Sequence, residues 1–312
     1  MLFRRAINFV LWIVTLLAGL VVGLGFFFAR QVIRPPRKRL WATPKDIGLG
    51  FEEVDFPAQD GLRLSGWFTP AGTSPAPTII LVHGWPWNRL GDQANDWLAE
   101  LSGNKPVDLL RLAHALHQAG YGVLMFDLRN HGQSAAGGPV SFGIDERQDL
   151  LGALDYLSGR DDVKRDKLGV IGFSMGANTI LYALPHTQAI QAAIAVQPTS
   201  ASVFAGRYAS DLLGPLGRPV LMIADFLYRR NGGPGLSAAE PILVAAAAGK
   251  TPILYIQGKG DRWGSVSNVA QMASVTPVAA GPLFIDTAHR YDGYRYLVEN
   301  PQIALQFLSH YL

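Results

Sequence analysis

The sequence LGVIGFSMG at residues 168–176 decides how this chain folds. Its first six residues are apolar apart from glycine, as in a strand that is buried on both faces of a parallel sheet. A helix-like run, Gly176–Leu184, follows directly. Gly172 and Gly176 flank Ser174 in a G-x-S-x-G pattern, and glycine lets the backbone turn sharply and approach its neighbours closely. The stretch therefore predicts a strand, a tight turn that presents a serine hydroxyl, and a helix.

The rest of the chain continues this alternation of strands and helices. Phe51–Pro57 and Leu62–Thr69 alternate in polarity around a turn and predict an antiparallel hairpin. Six further apolar runs are typical of buried strands: Thr78–Val82, Val123–Phe126, Leu168–Phe173, Ile190–Val196, Pro252–Ile256 and Pro282–Ile285. Helix-like stretches lie between them at Val107–Ala119, Ile144–Leu157, Gly176–Leu184 and Val266–Ala273. We expect an α/β fold with a mostly parallel eight-stranded sheet and helices on both faces, because such alternation implies right-handed crossovers.

Two segments interrupt the alternation. Residues 85–105 form a long excursion after the third strand. Residues 198–250 separate the sixth and seventh strands and are too long for an ordinary loop. They contain the apolar stretch 212–228, which predicts a helical cap inserted into a catalytic domain of residues 40–312. Packing of these apolar side chains on the core is the alternative, and one insertion can do both.

The first 39 residues are predicted to be a membrane anchor with basic flanks. Ala6–Ala29 is a run of 24 residues without a charge. As a helix it would be about 36 Å long, enough to cross a hydrocarbon core of about 30 Å. A cleavable signal peptide is the alternative, but its apolar region is only about 7–15 residues long. The prediction is therefore a retained single-pass anchor that places the protein in a membrane.

The side of the membrane stays open. Two Lys/Arg residues precede the span and five follow it, which favours a cytoplasmic catalytic domain. Many membrane-anchored enzymes of this design nevertheless face outward. The basic segment 30–39 could also bind anionic lipid headgroups, although a topology signal and linker is the simpler interpretation.

The distribution of charge argues against nucleic-acid binding. The 312 residues carry 27 Lys and Arg against 24 Asp and Glu. Seven of the basic residues lie in residues 1–39, which contain no acidic residue, so the remainder is net negative. A nucleic-acid-binding domain carries its positive charge on the folded part. The sequence contains no cysteine, which excludes disulfides, Cys-ligated metal sites and Cys nucleophiles.

A catalytic serine needs a general base, and the base needs a carboxylate that orients it. In this topology the chain order is serine, acid, histidine, each after a strand. Asp261 follows the run PILYI and His289 follows PLFI, so Ser174, Asp261 and His289 are the predicted catalytic triad. Asp286 is the alternative acid, but it lies only three residues before His289. Four other histidines fit this order less well: His114, His117, His186 and His310.

The predicted oxyanion hole consists of two backbone N–H donors. One belongs to Met175, the residue after the nucleophile, and the other belongs to the loop after the third strand. That loop begins His83-Gly84-Trp85, so Trp85 is the second predicted donor. His83 either holds the loop by a hydrogen bond or is a structural turn residue.

Over residues 50–312 the chain resembles the α/β-hydrolase family of serine hydrolases. The resemblance is carried by LVHG at 81–84, FDLRNHGQS at 126–134, GFSMG at 172–176, GKGDR at 258–262 and His289. Asn130 stands where the family usually has Gly, and Trp263-Gly264 stands where relatives often have Val-Pro; neither departure removes a catalytic group. The resemblance implies the α/β-hydrolase fold and hydrolysis through an acyl-enzyme intermediate, without metal or cofactor.

The substrate is indicated only broadly. The apolar cap contains or adjoins Phe204, Phe226 and Tyr228, and together with the anchor it predicts an ester with a hydrophobic chain. We therefore expect a carboxylesterase or lipase-like serine hydrolase that acts on a small-molecule or lipid ester. A peptidase, thioesterase or acyltransferase using the same triad is an alternative. A catalytically inactive binding protein of this fold is another.

Overall fold

The computed structural model describes residues 2–312. Within them lie ten strands: β1 (Glu52–Pro57), β2 (Arg63–Thr69), β3 (Ala76–Val82), β4 (Gly91–Asp92), β5 (Val107–Asp108), β6 (Gly122–Phe126), β7 (Val163–Phe173), β8 (Ile190–Val196), β9 (Ile253–Gly258) and β10 (Leu283–Ile285). Eight of them form one sheet in the order β1-β2-β6-β3-β7-β8-β9-β10. β7, the strand that leads to Ser174, therefore lies near the middle of the sheet.

The sheet has the predicted mixture of strand directions. β1 and β2 form the predicted antiparallel hairpin, with Glu52 opposite Phe68. β2 is also antiparallel to β6. From β6 to β10 all neighbours are parallel, and in the central pair Ile80 of β3 lies opposite Val170 of β7. The mostly parallel eight-stranded sheet is thus confirmed.

Helices cover both faces of the sheet. Eleven α-helices lie in the described part of the chain: α1 (Leu2–Ile33), α2 (Trp97–Ser102), α3 (Leu109–Gln118), α4 (Arg147–Ser158), α5 (Met175–Ala183), α6 (Ala201–Leu213), α7 (Gly217–Arg230), α8 (Ile242–Ala245), α9 (Val266–Val275), α10 (Arg290–Glu299) and α11 (Gln302–Tyr311). Alternate side chains of a strand point to opposite faces. Val170 accordingly packs in the core beneath α4 and α5, and Ile171 packs in the core beneath α3 and α11.

The excursion after β3 is more ordered than the sequence predicts. β4 and β5 pair as a two-stranded ribbon, with Gly91 opposite Asp108, and α2 lies between them. The predicted helix from Val107 begins two residues later, at Leu109, because the Asp108 carboxylate caps it by accepting from the Leu110 N–H at 3.0 Å.

The segment between β8 and β9 contains α6, α7 and α8. Tyr228 of α7 is buried, and its hydroxyl donates to the Val140 carbonyl at 2.6 Å. Ala245 of α8 is fully buried in the core of the sheet. The insertion therefore packs on the core at one end and, through α6 and α7, covers the carboxyl edge of the sheet.

The N-terminal helix has two different parts. By length and mean hydropathy of 2.5, Phe3–Ile33 could cross a membrane. Residues 3–20 are exposed along their whole length. From residue 21 the helix packs against the protein, and a Cβ on Gly25 would lie 2.6 Å from Ile223 of α7. The Val140 N–H donates to the Val32 carbonyl at 2.9 Å, which ties the end of α1 to the catalytic domain.

Candidate active site

Ser174 occupies a strained turn at the carboxyl end of β7. Its backbone has φ 53° and ψ −113°, and its N–H donates to the Val196 carbonyl of β8 at 2.9 Å. A non-glycine residue with positive φ is uncommon, and such strain persists only where the surroundings hold it. The turn directs the hydroxyl into a cavity above the sheet, as the G-x-S-x-G pattern predicts.

The glycines around Ser174 are required by close backbone approaches. A Cβ on Gly176 would lie 2.2 Å from the Val82 carbonyl oxygen, and one on Gly172 would lie 2.4 Å from the Gly176 carbonyl oxygen. Both distances are far below van der Waals contact. A Cβ on Gly84 would lie 3.3 Å from the Ser174 Cβ, so the loop after β3 runs directly beside the serine.

Asp261 lies just beyond β9 with its carboxylate buried and fixed. Oδ1 accepts from the Trp263 N–H at 3.1 Å and from the Gly264 N–H at 2.8 Å. Oδ2 accepts from Gln257 Nε2 at 3.2 Å. The Trp263-Gly264 pair, one of the two departures from the family pattern, therefore supplies the backbone donors that orient this acid.

A fully buried arginine that the sequence analysis missed stands between the serine and the acid. Arg290 Nη1 donates to Asp261 Oδ2 in a buried ion pair. Its Nη2 donates to Ser174 Oγ at 3.2 Å and to the Gln197 carbonyl at 3.1 Å. The guanidinium thus contacts both groups that were expected to contact a histidine. The sequence offered one signal for this role of Arg290, namely that an arginine directly follows the predicted catalytic histidine.

His289 does not occupy the position that the triad prediction gave it. In the described part of the chain its Nδ1 accepts from the Tyr291 N–H at 3.3 Å, so the proton is on Nε2, which donates to the Ser102 carbonyl at 3.1 Å. The ring packs edge-on against Trp263, with centroids 5.1 Å apart. Burial lowers the pKa of the His289 imidazole.

The backbone explains this placement of the imidazole. His289 is the N-cap of α10 and has an extended conformation, with φ −146° and ψ 159°. Consecutive side chains of an extended backbone point in opposite directions. When Arg290 enters the cavity, the imidazole of His289 must therefore face the other way, toward Ser102.

Neither of two other polar side chains near the serine can act as its base. Tyr294 lies beside Ser174 and Arg290, but burial raises its pKa to about 12, so its hydroxyl stays protonated at neutral pH. His83 is fully buried; its Nε2 accepts from the Leu128 N–H at 3.0 Å and its Nδ1 donates to the Gly84 carbonyl at 2.8 Å. His83 holds the loop after β3, one of its two predicted roles.

The predicted oxyanion-hole residues lie on either side of the serine. Met175 is the first residue of α5, and Trp85 follows Gly84 in the loop beside Ser174. Both residues line the same cavity as Ser174. Their role as donors stays a prediction.

The cavity is large, and its wall combines aromatic rings with polar side chains. It has a volume of about 550 Å³, and its walls include Trp85, Phe204, Tyr208 and Trp263 around Ser174. A smaller space of about 70 Å³ adjoins it between α1, α6 and α7 and is lined almost entirely by apolar side chains. No group of three His, Asp or Glu side chains within residues 2–312 has the arrangement of a metal site.

Comparison with known proteins assigns the fold. A family model described as the alpha/beta hydrolase fold matches residues 77–216. The esterase Pf2001 of Pyrococcus furiosus superposes with a TM-score of 0.69 at 25% sequence identity, covering 89% of this chain and 99% of that one. The chain has the α/β-hydrolase fold. An α/β-hydrolase fold with an esterase among its structural neighbours supports hydrolase chemistry.

Two sequence relatives align with more residues of this chain than the family model does. The protein YqkD of Bacillus subtilis (strain 168) is 27% identical over 268 residues, which is 81% of each chain. The protein YfhR of Escherichia coli (strain K12) is 32% identical over 181 residues, 56% of this chain and 54% of YfhR. The match with YfhR therefore spans only about half of that relative's length.

Proposed function

We propose that this protein is a serine hydrolase that cleaves carboxylic esters through an acyl-enzyme intermediate on Ser174. The observation that carries the proposal is the strained backbone of Ser174, φ 53°, at the end of a central parallel strand and beneath an aromatic cavity. A turn of this kind presents a nucleophilic hydroxyl at the top of the sheet. The buried carboxylate of Asp261, with three N–H donors, supports it as the acid of the triad.

In the proposed reaction the Ser174 Oγ attacks the ester carbonyl carbon while its proton passes to the His289 imidazole. The N–H groups of Met175 and Trp85 donate to the oxyanion of the tetrahedral intermediate. The imidazolium then gives its proton to the departing alcohol, leaving an acyl group on Ser174. A water molecule attacks this acyl-enzyme in the same way and releases the carboxylic acid.

This reaction requires an exchange between two neighbouring side chains. Arginine stays protonated at any working pH, so the Arg290 guanidinium beside Ser174 cannot accept a proton. We infer that the described arrangement is a resting state. For reaction, the His289 imidazole must take the place of the guanidinium between Ser174 and Asp261, and Arg290 must turn outward.

The proposed substrate carries a hydrophobic acyl chain. The cavity around Ser174 is walled by aromatic rings, and the adjoining space between α1, α6 and α7 offers room for apolar groups. The smaller space has few polar groups, and pockets of this kind bind apolar substituents. We further propose that α1 is retained as a membrane anchor. Its residues 3–20 are all exposed, and from Ala6 onward they carry no charge, so a bilayer would cover an apolar surface there.

Fluorophosphonate labelling of the full-length chain in detergent tests the proposed nucleophile. We expect labelling of the native chain and its loss in Ser174→Ala and His289→Ala. Ser309→Ala is the matched control, because Ser309 is an exposed serine of α11 that lines neither the cavity nor the adjoining space. Hydrolysis of p-nitrophenyl esters should follow the same pattern.

Labelling that survives Ser174→Ala would refute the assignment of the nucleophile. A folded native chain that neither labels nor hydrolyses any ester would favour a binding protein of this fold. Full labelling of His289→Ala would refute the base and the proposed exchange, while leaving the serine in place.

A further inference from the structure

The N-terminal helix forms part of the wall of the catalytic cavity. Phe27 and Gln31 of α1 line the same cavity as Ser174. The Phe27 ring contacts the Trp97 ring of α2, with centroids 5.8 Å apart. On its other side α1 packs closely on α7, where Gly25 meets Ile223. The same helix is therefore apolar and long enough to cross a bilayer and forms part of the wall of the site.

Exposed apolar side chains flank α1 on both of these sides. Trp97 and Leu101 of α2 are 61% and 63% exposed, and Met222 and Phe226 of α7 are 67% and 61% exposed. We call these four residues the collar. Single exposed apolar residues are ordinary, but a group beside an exposed apolar helix is continuous with the surface that the helix would present to lipid.

The length of α1 sets the depth of the collar. A hydrocarbon core of about 30 Å corresponds to roughly 20 residues at about 1.5 Å each. Counted from Ala6, directly after Arg5, this span ends near Gly25. Phe27 and Gln31 then lie about 3–9 Å beyond the hydrocarbon, in the headgroup layer. The part of the cavity wall formed by α1 is therefore level with the headgroups.

Exposed basic residues near the end of α1 fit a lipid surface. Arg30, Arg34 and Arg39 are exposed. The other two basic residues of this flank contact the domain: Arg37 Nη1 donates to the Gly132 carbonyl at 2.9 Å, and Lys38 pairs with Asp92 at 2.5 Å. Three exposed guanidinium groups near the end of α1 suit a layer of anionic or zwitterionic headgroups.

We propose that the collar is seated in the headgroup layer and that the substrate is an acyl ester dissolved in that membrane, which enters the cavity beside Phe27 and Gln31 without crossing bulk water. This inference rests on the proposed esterase function for its substrate and on the α1 anchor for its geometry. It assigns α1 a second role, as the part of the cavity wall nearest the lipid.

The seating of the collar can be tested without any activity. The full-length chain is reconstituted in phosphatidylcholine vesicles with 20% phosphatidylglycerol, with and without brominated acyl chains. We expect bromolipid quenching of tryptophan fluorescence to be measurably smaller in Trp97→Phe than in the native chain. Equal quenching in the two chains would place Trp97 away from the lipid and overturn the proposal.

Entry from the membrane is tested by a ratio of two rates. The rate on a long-chain ester held in vesicles, p-nitrophenyl palmitate, is divided by the rate on water-soluble p-nitrophenyl butyrate. We expect this ratio to fall tenfold or more in Met222→Ser/Phe226→Ser, because neither residue lines the cavity and both belong to the collar. Leu243→Ser, at an apolar residue that is 76% exposed outside the collar, is the control and should keep the native ratio.

The outcomes separate this inference from the proposed function. A native ratio in the collar variant overturns entry from the membrane even if both esters are cleaved. A native chain that cleaves neither ester but shows quenching at Trp97 refutes the ester substrate, and with it the entry route, while the seating of the collar stands.

Discussion

Replacing Arg290 with methionine should make Ser174 more reactive. Methionine has a similar length and no charge, so it can neither pair with Asp261 nor donate to Ser174 Oγ. The proposed resting state then loses the contacts that hold it, and the imidazole of His289 can enter. We expect fluorophosphonate to label Arg290→Met faster than the native chain.

The size of the effect follows from the hydrogen bonds that differ between the two arrangements. The guanidinium contacts Asp261, Ser174 and the Gln197 carbonyl. The guanidinium also donates to the Thr199 hydroxyl, at 3.3 and 3.4 Å. The imidazole replaces the contacts with Asp261 and Ser174, so the bonds to the Gln197 carbonyl, 3.1 Å long, and to the Thr199 hydroxyl are lost on exchange, and the Gln197 bond alone sets the lower limit. A hydrogen bond from a charged donor contributes about 1.5–3 kcal/mol. Since about 1.4 kcal/mol corresponds to a factor of ten, the labelling rate should rise by roughly tenfold or more.

Stability must be measured alongside the rate. Removing one partner of a buried ion pair costs about 3–5 kcal/mol. The lower end applies here, because Asp261 keeps three N–H donors. At about 2 °C per kcal/mol for a domain of this size, the melting temperature should fall by roughly 6 °C, and labelling is compared well below it.

Two further variants complete this experiment. Arg290→Lys keeps a cation beside Asp261 and should label at close to the native rate. His289→Ala/Arg290→Met should not label. If Arg290→Met, still folded, labels ten times more slowly than the native chain, then Arg290 assists Ser174 directly and the exchange is refuted.

Three other predictions follow from the described contacts. In the resting arrangement burial lowers the pKa of His289, and only the neutral imidazole can accept the Ser174 proton, so the labelling rate should rise with pH with a midpoint below 6.5. A midpoint above 6.5 would mean that the imidazole already lies beside Asp261 in the free protein and would refute the proposed resting state. Gly176→Ala places a Cβ 2.2 Å from the Val82 carbonyl oxygen and should cost about 1–3 kcal/mol in a melting experiment. Gly206→Ala, inside α6 with nothing within 4 Å of the new Cβ, should be stabilising by up to about 1 kcal/mol, so equal melting temperatures of the two variants would contradict the close approach at Gly176. Ala224→Phe should fill the space between α1, α6 and α7, so that two methylenes of a long acyl chain are no longer buried there. At about 0.8 kcal/mol for each methylene, hydrolysis of long-chain esters should slow roughly 15-fold relative to the butyrate ester. An unchanged dependence of the rate on chain length would show that acyl chains do not use this space.

The sheet and the turn at Ser174 could be predicted because local pattern and global packing agree there. Residues 168–173 are apolar on both faces, as a central strand requires, and the glycines that follow permit the approaches seen at Gly172 and Gly176. The position of Asp261 could be predicted for the same reason, since it follows a buried strand of the same sheet.

The contacts of His289 and Arg290 could not be predicted in this way. Both residues lie at the same strand-to-helix turn, and the direction of one peptide decides which side chain enters the cavity. That direction depends on distant partners, the Ser102 carbonyl and the Asp261 carboxylate. Spacing along the chain contains no information about either of them.

The end of α1 was not predictable for a related reason. Apolar residues that face lipid and apolar residues that face protein look alike in a sequence. Gly25 and Ala29 are buried at helical spacing, but in a run of 24 uncharged residues they do not stand out. The packing of α1 on α7 shows where the helix begins to contact the rest of the protein.

The bond between the Val32 carbonyl and the Val140 N–H, with Phe27 and Gln31 in the cavity wall, has a practical consequence for anyone purifying this enzyme. The usual route to a soluble sample is to delete the apolar N-terminus. Here that deletion would remove one side of the cavity at Ser174 and leave the amide of Val140 without its acceptor. The substrate and inhibitor preferences of a truncated sample would therefore be those of a more open cleft. They would differ from the preferences of the full-length protein.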